Sequence, residues 1–85
     1  MKNYSYIPKG VCSKLITFGI DDGGKLRNVK FTSGCPGNLA AIGKLVEGAD
    51  PKEIVRILKG NDCAGRGTSC ADQLAIAIEA ALAEG

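Results

Sequence analysis

The amino-terminal third of the chain alternates between apolar and polar positions, which is typical of β-strands. In residues 11–20, Ile16 and Phe18 occupy alternate positions of a segment rich in β-branched and aromatic residues, as expected for a strand with one buried face. Residues 26–32 resume the alternation after an Asp-Asp-Gly-Gly sequence at 21–24. Because Asp and Gly tolerate positive φ, these residues suit a tight turn. The pattern therefore predicts an antiparallel hairpin.

A shorter segment before the hairpin has the composition of an additional strand. Residues 4–7 carry aromatic and β-branched side chains, and Pro8 and Gly10 follow them. Proline cannot donate to a β-ladder, so a strand that ends there belongs at the edge of a sheet. We therefore predict a small antiparallel sheet of two to three strands.

After Cys35 the hydrophobic spacing changes to that of a helix. Apolar residues recur at intervals of three and four positions, which places them on one helical face. We predict that this first helix ends at Gly48. The residues predicted on its buried face are Leu39, Ile42, Leu45 and Val46.

A second helix is predicted immediately after the first. Asp50 is a favourable N-cap, Pro51 suits the first helical position, and Glu53 supplies a carboxylate in the first turn. Its predicted apolar face consists of Ile54, Ile57 and Leu58, and the helix is predicted to end before Gly60.

The third helix is predicted after a loop at residues 61–67. Thr68 or Ser69 can cap it, with Asp72 in the first turn. Apolar residues then repeat with helical spacing at Leu74, Ile78, Ala81 and Leu82. The predicted fold class is therefore α+β, with the small sheet followed by three helices packed on one face.

Length and composition indicate a single domain that spans residues 1–85. With 45% hydrophobic residues, the chain can form one modest core and is too short for two. Its two Phe, two Tyr and absence of Trp mean that Ile, Leu, Val and Ala must form most of that core. Cores of this size often need a further cross-link, and the four cysteines are the candidates.

Charge and hydropathy exclude several classes of function. The formal net charge is +2, and the basic residues do not form a stripe interleaved with aromatics, so nucleic acid is not an expected partner. No apolar run resembles a signal peptide or is long enough to span a membrane. We therefore expect a cytoplasmic protein, whose thiols are kept reduced.

The four cysteines are predicted to lie at the ends of elements rather than within apolar faces. Cys12 opens the first strand of the hairpin, Cys35 precedes the first helix, Cys63 lies in a loop, and Cys70 starts the last helix. Helix amino termini stabilise negative charge, which favours the thiolate form at Cys35 and Cys70. Thiolates are metal ligands. We predict that all four cysteines converge on one site that binds a metal ion or an iron-sulfur centre.

Two other interpretations of the cysteines remain open from the sequence. They can be small buried hydrophobic residues, or Cys63 and Cys70 can form a disulfide that acts as a redox switch in the cytoplasm. The chain has no CxxC pairs of the kind found in zinc fingers. It also has no histidine, which excludes histidine ligands and a Cys-His nucleophile pair.

Several motifs together carry a resemblance to one family. The match extends from about residue 4 to residue 82 and rests on Gly10-Val11-Cys12-Ser13, Gly34-Cys35-Pro36-Gly37-Asn38-Leu39, Leu45-Val46-Glu47-Gly48 and Thr68-Ser69-Cys70-Ala71-Asp72-Gln73-Leu74. These motifs resemble the TSCPD domain family, which includes small stand-alone bacterial proteins and the carboxyl-terminal domains of cobalamin-dependent ribonucleotide reductases. Ala71 stands where the name-giving motif has proline, a change expected to affect rigidity more than ligation.

A more distant resemblance is to iron-sulfur scaffold proteins of the IscU and NifU type, and it implies an IscU/NifU-like fold. It matches the three cluster-ligating cysteines of those scaffolds to Cys12, Cys35 and Cys70. This chain has Lys14 and Ser69 where the scaffolds have an aspartate and a histidine, and it lacks their chaperone-recognition segment. A fourth cysteine, Cys63, would favour holding a metal over releasing it.

Three hypotheses for function follow. The first is a non-catalytic domain in which Cys12, Cys35, Cys63 and Cys70 bind zinc, with an iron-sulfur cluster as the alternative cofactor. The second is an iron-sulfur cluster scaffold or carrier. The third is a redox accessory related to ribonucleoside-diphosphate reductase, since 85 residues are too few for that enzyme's catalytic barrel. The resemblance implies a ribonucleotide reductase or another protein as partner.

Overall fold

The computed structural model describes residues 1–11, 13–32, 36–61 and 67–84. Within these ranges an antiparallel sheet of three strands is followed by three helices, which confirms the predicted α+β class. The elements are β1 (Lys2–Tyr6), β2 (Leu15–Ile20), β3 (Leu26–Thr32), α1 (Pro36–Val46), α2 (Pro51–Leu58) and α3 (Cys70–Glu84).

The sheet has the order β1-β2-β3. β1, the additional strand predicted before the hairpin, therefore lies at an edge. Tyr4 of β1 pairs with Phe18 of β2, and their rings stack with centroids 5.4 Å apart. β2 begins at Leu15, later than predicted, because Ser13 contacts α3 instead of continuing the strand. The start of β2 and the amino terminus of α3 therefore meet.

An irregularity in β3 explains why its buried positions are not strictly alternate. Asn28 has φ of 56°, and the register between β2 and β3 shifts between Thr17 and Gly19. An extra residue of this kind changes which positions face the core. Leu26 and Val29 are consequently both buried although they are three positions apart.

The core lies between the sheet and the helices. Ile16 and Leu26 from the sheet and Leu74 and Ile78 from α3 have no exposed surface. Burying a side chain of this size stabilises the fold by roughly 1.5–3 kcal/mol. The other buried members of the cluster are Phe18, Val29, Val46, Ile54, Ala77 and Ala81. Among the described residues, no helix is sufficiently long and apolar to cross a membrane.

α1 lies along β3 and buries only a narrow strip. Leu39 and Val46 are buried, but Leu45 is 82% exposed, so its predicted place on the buried face is wrong. A Cβ on Gly43 would lie 2.7 Å from the carbonyl oxygen of Val29, which shows how closely the two backbones approach. β3 is the main element that packs on α1. Leu45 therefore remains exposed to solvent.

α2 begins as the sequence predicts. The Asp50 side chain accepts a hydrogen bond from the Lys52 amide at 3.0 Å, and Pro51 is the first helical residue. Ile54 is buried, whereas Ile57 is 56% exposed and its predicted burial is wrong. α2 packs chiefly on α3, and this brings the carboxyl end of α2 close to the start of α3.

Candidate functional site

Cys70 is the first residue of α3 and is half-buried. Ser69 caps the helix, because its Oγ accepts a hydrogen bond from the Asp72 amide at 3.0 Å and its carbonyl accepts one from the Gln73 amide at 2.8 Å. This arrangement is the first half of a capping box. The predicted helix start is confirmed, with Ser69 as the cap.

Ser13 connects the region before β2 to Cys70. Its hydroxyl donates to the Cys70 Sγ atom at 3.3 Å, and Ser13 is 3% exposed. In the next residue, the Lys14 amide donates to the Thr32 carbonyl at 2.7 Å. The start of β2, the end of β3 and the first turn of α3 are therefore adjacent.

Asp72 is a buried carboxylate in the first turn of α3. Its Oδ1 accepts from the Gly60 amide at 2.6 Å and its Oδ2 accepts from the Thr68 hydroxyl at 2.5 Å. The Thr68 hydroxyl, followed by the Gly60 amide, lowers the pKa of Asp72 below its usual value, because hydrogen bonds to a carboxylate favour its charged form. Asp72 is therefore ionised at neutral pH.

Two further side chains extend this network to neighbouring segments. Gln73 donates from Nε2 to the Thr68 hydroxyl at 3.0 Å and accepts from the Lys9 amide at 3.1 Å. Asn61 donates from Nδ2 to the Ser69 hydroxyl at 3.1 Å. Every buried side-chain nitrogen or oxygen in the described part of the chain has a hydrogen-bond partner.

Of the four predicted ligands, only Cys70 lies within the described residues. Cys12, Cys35 and Cys63 lie outside them. Across residues 1–11, 13–32, 36–61 and 67–84, no group of three or more Cys, His, Asp or Glu side chains is placed to hold a metal ion. The four-cysteine ligand set remains a prediction.

Sequence reasoning did not identify Ser13 and Gln73 as members of this region. Both are buried polar residues, with 3% and 6% of their surface exposed. Both residues lie within the motifs that carry the family resemblance, and this membership was the signal available in the sequence. By contrast, Asp21 has the turn role that its sequence context predicts, since it accepts hydrogen bonds from the amides of Gly23 and Lys25.

Comparison with known proteins gives one match. The family model of the TSCPD domain matches residues 1–82. No curated protein and no solved structure matches the chain, so the resemblance to IscU and NifU scaffolds is not confirmed. A match that covers nearly the whole chain, including the strands, the helices and the capped start of α3, assigns the family: the chain belongs to the TSCPD domain family.

Proposed function

We propose that this TSCPD domain binds one zinc ion through Cys12, Cys35, Cys63 and Cys70. The observation that carries the proposal is the 3.3 Å contact between the Ser13 hydroxyl and Cys70 Sγ. It joins the residue after Cys12 to a cysteine that lies far away in the sequence, at a separation of 57 positions from Ser13.

The described neighbours of the other cysteines support the same arrangement. Thr32, three positions before Cys35, accepts from the Lys14 amide at 2.7 Å. Asn61, two positions before Cys63, donates to Ser69 at 3.1 Å. Lys14 is adjacent to Ser13, and Ser69 is adjacent to Cys70, so both contacts involve the immediate neighbours of the Ser13–Cys70 pair. The proposal is that the four cysteines bind a shared metal there.

The donor chemistry fits a zinc ion. Four thiolates form a closed tetrahedral zinc site, and the same set is suited to an iron-sulfur cluster. The chain has no histidine that could replace a thiolate. Cys70 is the first residue of α3, where the helix amino terminus stabilises an anionic ligand. In this proposal the metal cross-links the segments around a small core and has a structural role.

The metal content of the anaerobically purified protein tests the proposal. We expect one zinc per wild-type chain and a clear loss in each of Cys12→Ser, Cys35→Ser, Cys63→Ser and Cys70→Ser. Ser5→Ala is the control, because Ser5 is exposed on β1 and its variant should retain the metal. Full occupancy in all four cysteine variants would falsify the proposal.

The same measurement separates zinc from the alternative cofactor. Zinc without iron, in a protein that does not absorb visible light, supports the zinc site. Iron with inorganic sulfide and visible absorption, lost in the cysteine variants, would instead assign an iron-sulfur cluster to the same residues.

A further inference from the structure

The buried polar side chains of the described residues are concentrated at the start of α3. Ser13, Ser69, Asp72 and Gln73 are each between 3% and 6% exposed. Removing polar groups from water is costly unless they are hydrogen-bonded, and none of their buried side-chain nitrogen or oxygen atoms lacks a hydrogen-bond partner. Their partners lie in three separate segments of the chain, so the cluster joins segments as well as capping a helix.

The Asp72 carboxylate connects the end of α2 to the residue that precedes the α3 cap. In a complete capping box, the side chain at this position would return to the amide of the capping residue. Here its two oxygens bind the Gly60 amide and the Thr68 hydroxyl instead. The position of Thr68, and with it the start of α3, is therefore set by the end of α2.

The Gln73 side chain connects the segment that follows β1 to the same hydrogen-bond network. It contacts the Thr68 hydroxyl and the Lys9 amide. We call the side chains of Thr68, Asp72 and Gln73 the polar clamp. Their hydrogen bonds connect the start of α3 to the backbone at residues 9 and 60. Cys70 lies between Thr68 and Asp72 in the sequence, and its Sγ atom accepts a hydrogen bond from the Ser13 hydroxyl.

We propose that Asp72 is a positioning residue for the thiolate site: through the polar clamp it holds the backbone around Cys70 in place before a metal binds. This inference rests on the proposed function. An ordered ligand segment loses little conformational freedom when it binds a metal, because the ordering cost is already met on folding. Asp72 should therefore influence metal affinity without being a ligand.

Zinc affinity, measured by competition with a chelator in the full chain, tests the inference. Asp72→Ala should weaken binding about tenfold, since an unordered segment costs roughly 1–2 kcal/mol for each residue fixed on binding. The control is Asp21→Ala, which also removes a hydrogen-bonded carboxylate: Asp21 accepts hydrogen bonds from two amides and the Arg27 side chain, and Asp72 accepts them from one amide and the Thr68 hydroxyl. Asp21 follows β2 at the end opposite the candidate site, so its variant should bind zinc within about twofold of the wild type. Equal affinities of the two variants would overturn the inference.

A second pair of variants covers the case in which Asp72→Ala does not fold. Thr68→Val removes the hydroxyl that donates to Asp72 and accepts from Gln73, whereas Thr68→Ser retains it. Thr68→Val should weaken zinc binding several-fold, in line with the loss of one or two hydrogen bonds, and Thr68→Ser should restore it. Indistinguishable affinities for Val and Ser would contradict the role of the clamp.

A measurement on the metal-free protein separates failure of this inference from failure of the metal proposal. Both Gly60 and Lys9 are exposed residues whose amides are bound by side chains of α3. If the clamp acts as a unit, Asp72→Ala should speed amide hydrogen exchange about tenfold at Gly60 and also at Lys9, whose amide is bonded to Gln73 and not to Asp72. A change at Gly60 alone would identify an ordinary local contact and overturn the inference, whatever the metal content.

Discussion

At the scale of single residues, Arg27 is held between two carboxylates remote from the candidate site. Its Nε donates to Asp21 at 2.8 Å and its Nη1 donates to Glu47 at 3.2 Å. Glu47 also accepts from the Asn28 amide at 2.9 Å, which satisfies the backbone at the irregularity in β3. The Asn28 amide, followed by the Arg27 side chain, lowers the pKa of Glu47 below its ordinary value.

The lowered pKa of Glu47 predicts a pH-dependent contribution to stability. The folded state binds fewer protons than the unfolded chain between the folded and unfolded pKa values, so stability falls as the pH falls. In Glu47→Gln the uncharged amide mimics the protonated acid. We expect the wild type to be more stable than Glu47→Gln at neutral pH. The difference should shrink as the pH falls below the ordinary pKa of glutamate and be lost once the pH falls below the lowered pKa of Glu47 in the folded state.

Thermal unfolding of both proteins across this pH range measures the effect. Asp22→Asn serves as the control, because Asp22 is exposed and contacts only the amino-terminal ammonium group at 3.4 Å among the interactions described for it. A wild-type advantage that stays constant from neutral to acidic pH would contradict the assigned role of Glu47.

At the scale of elements, the packing of α1 on β3 depends on the absence of a side chain at Gly43. The Val29 carbonyl oxygen would lie 2.7 Å from a Cβ at this position, well inside normal contact distance. A backbone oxygen cannot move aside as a flexible side chain can. Gly43 therefore sets the distance between the helix and the strand.

Substitution by alanine distinguishes this packing role from simple helix propensity. Gly43→Ala should destabilise the protein by up to about 2 kcal/mol, because overpacking costs roughly 1–3 kcal/mol and the better helix propensity of alanine offsets about 1 kcal/mol. Gly37→Ala in the same helix meets nothing within 4 Å and should be neutral or stabilising by up to about 1 kcal/mol. Chemical denaturation checks both values, and equal effects at the two glycines would rule out the close approach as the cause.

The elements also show where sequence patterns are reliable. The alternation in β2, the Asp50 cap and the Ser69 cap depend on local chemistry, and the structure confirms them. The burial of Leu45 and Ile57 was predicted wrongly because helical spacing identifies an apolar face but not its width. That width depends on which neighbours pack on the helix, and α1 and α2 each have few.

At the scale of the whole molecule, the described core is formed almost entirely by aliphatic residues, and many of those on α3 are small. Four of the six buried hydrophobic positions of α3 are alanines, at 71, 75, 77 and 81, and each buries little apolar surface. A domain of 85 residues with such a core has limited stability on its own. A metal that binds only the folded state would add to it by mass action.

Metal removal should therefore lower the thermal stability of the protein. Zinc at about one hundred times its dissociation constant would contribute roughly 2.7 kcal/mol, which corresponds to a decrease in Tm of about 10–20 °C for a domain of this size. The decrease on adding a chelator should be absent in Cys70→Ser, which has already lost a proposed ligand. An unchanged wild-type Tm after complete removal of the metal would contradict a structural role for zinc.

Part of the functional prediction still depends on the family resemblance. Membership of the TSCPD domain family is confirmed by the match over residues 1–82. The metal, its ligands, the cytoplasmic location and a ribonucleotide reductase as partner remain predictions. The contacts of Ser13 with Cys70 and of Asn61 with Ser69 support the proposal of a shared site for the cysteines. The metal content of the four Cys→Ser variants tests that proposal.

The sequence by itself determined the order and type of the elements, the helix caps and the family, because these depend on local periodicity, on short-range hydrogen bonding and on linked motifs. Only the tertiary structure decided that Ser13 donates to Cys70 and that Asp72 joins Gly60 to Thr68. Ser13 and Cys70 are separated by 57 positions, and no local pattern encodes which distant donor reaches a given acceptor. Those contacts form only when the sheet and α3 pack together and bring the ends of several elements to one place.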